Sequence, residues 1–90
     1  MKKIRAIVSG RVQGVGFRMY TRAQARQLGV TGYVKNLSSG EVEILACGEP
    51  KNVDALLEWA KSGSPSAVVN GQKIEVVADI EEFDSFEIRY

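Results

Sequence analysis

Apolar residues recur with a period of two in several stretches of this chain and with a helical period in two others. The order of those stretches restricts the fold more than any single residue does. Ile4, Ala6 and Val8 alternate with Arg5, Ile7 and Ser9, which predicts a first strand with one apolar face. Phe17, Thr21, Ala25 and Leu28 then fall at helical spacing among good helix formers, and Gly29 follows as a C-terminal cap. Thr31 to Leu37 predicts a second strand, Ser38-Ser39-Gly40 a hairpin turn, and Glu41 to Gly48 a third strand alternating Val42, Ile44 and Ala46 with Glu43, Leu45 and Cys47. Pro50 opens a second helix with Val53, Leu56, Leu57 and Ala60 on one stripe, ended by Lys61-Ser62-Gly63-Ser64-Pro65. Lys73 to Ala78 predicts a fourth strand with Ile74, Val76 and Ala78 on one face. The tail Ser85 to Tyr90, alternating Phe86, Ile88 and Tyr90, predicts a short fifth. Residues 66–72 and 79–84 carry no clear pattern.

The order β-α-β-β-α-β predicts an α+β sandwich of the split βαβ, ferredoxin-like kind, an antiparallel-rich sheet with two helices packed on one face. Ninety residues suffice for one domain, spanning 1–90. With 44% hydrophobic and 26% charged residues the composition is that of an ordinary globular chain. No apolar run approaches the ~20 residues that span a bilayer, and Met1-Lys2-Lys3 leads directly into a strand. A cytoplasmic protein with no membrane partner is expected.

The residues that are missing narrow the chemistry. The chain has no histidine, which removes histidine general-base catalysis and histidine-ligated zinc, and its single cysteine, Cys47, allows neither an internal disulfide nor a CxxC metal site. Catalysis must rest on Arg, Lys, Asn, Gln, carboxylates or backbone amides. The acidic stretch Asp79, Glu81, Glu82, Asp84 reads as a solvated loop, with a weak metal site as the lesser alternative.

Between the first strand and the first helix runs Gly10-Arg11-Val12-Gln13-Gly14-Val15-Gly16-Phe17-Arg18. Glycines let successive backbone N–H groups turn inward, and a helix start adds free N–H groups and the positive end of its dipole, so the segment fits an anion cradle as well as an ordinary strand-to-helix turn. It lacks the third glycine of GxGxxG, and no Gly-Lys-Ser/Thr follows. Charge favours an anion: residues 1–40 hold eight Lys/Arg and no acid, while residues 41–90 hold four Lys/Arg and all eleven acids. Arg18 stands at a helix start, an unfavourable place for a cation unless an anion joins it. Asn36, ahead of the turn, reads either as a turn-initiating residue or as an amide that orients a bound molecule.

With these residues in view, the sequence resembles the acylphosphatase family. The likeness is carried by Gly10 to Arg18, by Leu28-Gly29-Val30-Thr31-Gly32-Tyr33-Val34-Lys35-Asn36-Leu37, by Gly40, and further by Trp59, Gly63-Ser64-Pro65 and Phe86-Glu87-Ile88. Ser39 departs from the Asp or Asn common before the turn glycine, and the likeness is weakest between Ser66 and Glu82. The resemblance implies hydrolysis of the carboxyl-phosphate bond of a small acyl phosphate. Backbone N–H groups of Gln13, Gly14, Val15, Gly16 and Phe17 would hold the phosphate together with Arg18, and Asn36 would orient the attacking water. No metal and no cofactor are implied, and a monomer is expected.

This reaction suits a chain without histidine. The departing carboxylate has a conjugate acid of pKa about 4, so it leaves without being protonated, and what remains is positioning and electrostatics. A binding module is the competing class, because the same element order serves RNA-recognition domains. Such a sheet needs stacking aromatics on its central strands, which are absent from strands one and three, so no nucleic-acid partner is expected.

Overall fold

The computed structural model describes residues 1–78 and 82–90; Asp79 and Glu81 of the acidic stretch lie outside the described residues. Seven elements follow one another: β1 (Lys2–Arg11), α1 (Phe17–Gln27), β2 (Thr31–Asn36), β3 (Val42–Gly48), α2 (Pro50–Ala60), β4 (Val68–Val76) and β5 (Phe86–Arg89). The strands form one five-stranded sheet in the order β4-β1-β3-β2-β5, antiparallel throughout except for the parallel pair β2 and β5. This is the expected ferredoxin-like arrangement, with the short fifth strand present.

Period-two alternation selects the covered face. Ile4, Ala6, Val8, Val34, Val42, Ile44, Ala46 and Phe86 are fully buried together with Phe17 and Ala25 of α1 and with Val53, Leu56 and Ala60 of α2. Removing such side chains from water supplies the main stabilising term, about 1.5–3 kcal/mol for each large aliphatic or aromatic residue. Trp59 of α2 packs its ring 5.9 Å from that of Phe17 of α1. Gly29 ends α1 with φ 68, and the bonds Val30 N–H to Ala25 C=O (2.9 Å) and Gly29 N–H to Arg26 C=O (3.3 Å) form the Schellman pattern.

The opposite face carries a charged lattice over Leu45, which is itself buried. Arg5 pairs with Glu43 at 3.1 Å and Glu75 at 2.8 Å, the Tyr33 hydroxyl donates to Glu43 at 2.8 Å, and Arg89 lies over the Tyr33 ring at 4.4 Å. Beneath it Gly32, at φ 136, brings β2 so close to β3 that a Cβ would stand 1.8 Å from the Leu45 carbonyl oxygen.

The fourth strand corrects the sequence reading. It begins at Val68, within the patternless stretch, and ends at Val76 instead of Ala78. Ile74 and Val76 pair with Ala6 and Ile4 and so share the helix-covered face, yet they are 49% and 81% exposed. β4 is an edge strand, and of its residues on that face Gln72 is the one that donates to α2, at the Leu57 carbonyl. Burial therefore imposes little alternation on its sequence. A register shift at Ser9/Gly10 adds to the irregularity, where Gly10 approaches the β4 backbone too closely for any Cβ.

Candidate active site

The segment between β1 and α1 is pinned at three places. Val12 is buried, 1% exposed, and anchors its start in the core. Gln13 donates through Nε2 to the carbonyls of Leu37 and Glu41, at 2.8 and 2.9 Å, on either side of the β2–β3 turn. The hydroxyl of buried Ser64, just past α2, donates to the Val15 carbonyl at 2.9 Å. Within this segment Gly14 and Gly16, one on each side of Val15, adopt φ 73 and 74, left-handed conformations that cost other residues about 1–2 kcal/mol.

Gly16 is the N-cap of α1 and has no side chain to cap it, and the first turn contains no acid. The first intrahelical bond runs from Tyr20 N–H to the Gly16 carbonyl at 3.1 Å, so the N–H groups ahead of Tyr20 have no partner within the helix. The positive end of the helix dipole is thus left uncompensated beside Arg18. In front of it lies a hollow of about 170 Å³ bounded by Val12, Gly14, Gly16, Phe17, Arg18, Met19, Asn36, Ile88 and Tyr90, with no acidic side chain lining it among the described residues.

Five of the residues singled out in the sequence, Gly14, Gly16, Phe17, Arg18 and Asn36, therefore meet in one pocket. Two do not line it. Gln13 turns its side chain to the hairpin, and Val15 packs partly buried against the core. Arg18 is half-buried and makes no side-chain hydrogen bond or ion pair among the described residues; its guanidinium carbon lies 4.9 Å from the centroid of Tyr90. Asn36 closes β2, and its Oδ1 is buried without a hydrogen-bond partner. A buried amide oxygen left unpaired costs about 1–3 kcal/mol, an arrangement that a bound water or ligand would relieve. Ser39, the departure noted in the turn, donates to the Glu41 carboxylate at 2.9 Å and accepts from Glu41 N–H at 3.3 Å, the second being the kind of local bond an Asp or Asn side chain would accept.

Sequence reasoning missed Met19, Ile88 and Tyr90. The alternation of Phe86, Ile88 and Tyr90 was visible, but nothing in it announces that β5 runs parallel beside β2 with Ile88 opposite Val34 and Arg89 opposite Lys35. Continuing that register brings Tyr90 level with Asn36. Among the described residues, no group of three or more His, Cys, Asp or Glu side chains is placed to hold a metal ion.

The sequence matches the acylphosphatase family profile over residues 4–88. It is 53% identical over 83 residues to an acylphosphatase of Archaeoglobus fulgidus, covering 92% of each chain. It is 47% identical over 89 residues to an acylphosphatase of Caldivirga maquilingensis, covering 98% of this chain and 94% of that one. The fold matches the crystal structure of acylphosphatase from Bacillus subtilis with a TM-score of 0.95 at 39% identity over 100% of both chains. The chain belongs to the acylphosphatase family, enzymes that hydrolyse acyl phosphates.

Proposed function

We propose that the pocket between the 13–17 loop, Arg18 and Asn36 is where the acyl phosphate is cleaved, without a metal, by a single domain acting as a cytoplasmic monomer. The observation that carries this reading is that Asn36, whose Oδ1 is buried and unpartnered, lines the same hollow as Arg18 and the glycine loop. Backbone N–H groups of residues 13–17 and the guanidinium fork of Arg18 hold the phosphoryl oxygens and stabilise the charge that spreads over them in the transition state. Arg suits this better than Lys because two of its N–H groups reach two oxygens at fixed spacing.

Asn36 accepts a hydrogen bond from water and holds it for in-line attack, but its amide is too weak a base to remove the proton. The water oxygen bonds to phosphorus as the phosphorus–acyl oxygen bond breaks. That bond's electron pair leaves with the carboxylate, and both water protons end on the phosphate, giving a carboxylate and dihydrogen phosphate from the acyl phosphate dianion. The test is turnover of benzoyl phosphate with and without chelator, with inorganic phosphate as a competitor. Chelator-insensitive hydrolysis with competitive inhibition is expected, and strict metal dependence refutes the mechanism.

A further inference from the structure

If the phosphoryl group and water are held as proposed, the rest of the pocket limits the acyl group. In-line displacement places the attacking water and the departing oxygen on opposite sides of phosphorus. Asn36 Oδ1 is buried, so the water lies at the floor and the acyl group points out through the mouth. Two large apolar-bodied side chains stand there, Met19 at 62% and Tyr90 at 93% exposure, with half-buried Ile88 also on the wall. Met19 also lines a second hollow of about 250 Å³ with Tyr20 and Ala23, so an apolar surface runs from the mouth along α1. Scattered exposed apolar residues need no explanation; a contiguous run beginning at an anion pocket calls for an occupant. Among the described residues, Arg18 is the one charged side chain lining either hollow.

We propose that Met19 centres an acyl-group subsite and that the preferred substrates carry apolar or aromatic acyl groups in place of small polar ones. This inference rests on the phosphate site proposed above. Burial of the acyl group against Met19, Tyr20 and Ala23 adds binding that a short acyl group cannot make, because it ends at the mouth.

The test compares benzoyl phosphate with acetyl phosphate in the wild type, Met19→Ser and Ala23→Gln, with inhibition by inorganic phosphate reporting the cradle. Both substitutions fall on exposed helix positions, and circular dichroism checks the fold. Met19→Ser is expected to lower kcat/KM for benzoyl phosphate about three- to tenfold more than for acetyl phosphate, mainly through KM, and Ala23→Gln to act in the same direction to a smaller extent. Equal losses on both substrates, or no loss on either, overturn the subsite while leaving the phosphate site standing. Failure of the wild type to hydrolyse either substrate overturns both.

Discussion

Gln13 Nε2 stands 2.8 Å from the carbonyl oxygen of Leu37, the residue that follows Asn36, and its other proton reaches the Glu41 carbonyl at 2.9 Å. One side chain of the glycine loop thus grips both sides of the hairpin that carries Asn36. The orientation of the amide is fixed, since its oxygen in that place would face two other acceptors. The two halves of the pocket come from segments more than 20 residues apart, and this clamp sets the spacing between them.

Gln13→Ala should therefore hurt catalysis more than stability. Leu37 and Glu41 keep backbone partners for their carbonyls, from Gly40 N–H at 3.1 Å and Leu37 N–H at 2.8 Å, so no buried acceptor is orphaned. The stability loss should be about 1–2 kcal/mol by urea unfolding, while kcat falls about tenfold or more because water and phosphorus lose their alignment. Gln13→Glu should be worse, since a carboxylate would face two carbonyls. Full activity in Gln13→Ala would show that the clamp is irrelevant to the site.

Arg18→Ala should reduce turnover by about 10²–10³ or more, the usual effect of losing a preorganised donor to a developing oxyanion. The only ring or charge partner recorded for Arg18 among the described residues is Tyr90, so unfolding free energy should change by no more than about 1 kcal/mol. Arg18→Lys should restore little, because an ammonium cannot span two oxygens as the fork does. Near-normal rates in Arg18→Ala would falsify the assignment.

Much of this was legible beforehand because it depends on local rules. Gly14 and Gly16 mark left-handed turns, Gly29 a Schellman cap, and the alternation of β1 and β3 follows from burial against two helices. What was illegible depends on non-local pairing. β4 escapes the helices and so shows no clean alternation, and Tyr90 reaches Arg18 only because β5 pairs in parallel with β2. The Gln13 side chain was also missed: backbone donors can be expected of a glycine loop, but the partner of a polar side chain across 24 residues of sequence cannot.

Gly63→Ala should test how far the α2 exit supports the cradle. Gly63 has φ 68, and a Cβ there would stand 2.5 Å from Phe17 Cε2. The Phe17 ring is buried in the core and packed against Trp59, so it has little room to yield. A loss of about 2–4 kcal/mol by thermal or urea unfolding is expected from left-handed strain plus overpacking, with weaker inhibition by inorganic phosphate. Unchanged stability would mean that the turn relaxes freely.

Tyr33 should make stability fall at high pH. Burial, then its bond to Glu43 and the charge of that carboxylate, raise the phenol above its ordinary value despite the opposing pull of Arg5 and Arg89. Because the folded pKa exceeds the unfolded one, the contribution is complete below about pH 10 and is lost as pH rises through the folded pKa. Urea midpoints measured from pH 8 to 11 should drop more steeply in the wild type than in Tyr33→Phe, which forms no tyrosinate at this position. Parallel curves would place the alkaline transition elsewhere.

Asn36 offers the sharpest separation of roles. If its buried Oδ1 holds the attacking water, Asn36→Ala should lower kcat by about 10² or more, while inorganic phosphate inhibits nearly as in the wild type, since the loop N–H groups and Arg18 remain. Arg18→Ala should instead weaken phosphate binding together with turnover. Stability points the same way: removing a buried acceptor that has no partner in the protein leaves folding unharmed or slightly improved. A turn-initiating asparagine would behave in the opposite manner, with Asn36→Ala destabilising the β2–β3 hairpin and sparing kcat. Measured on one preparation, kcat, phosphate inhibition and urea midpoint decide between an amide that positions water and one that only shapes the chain.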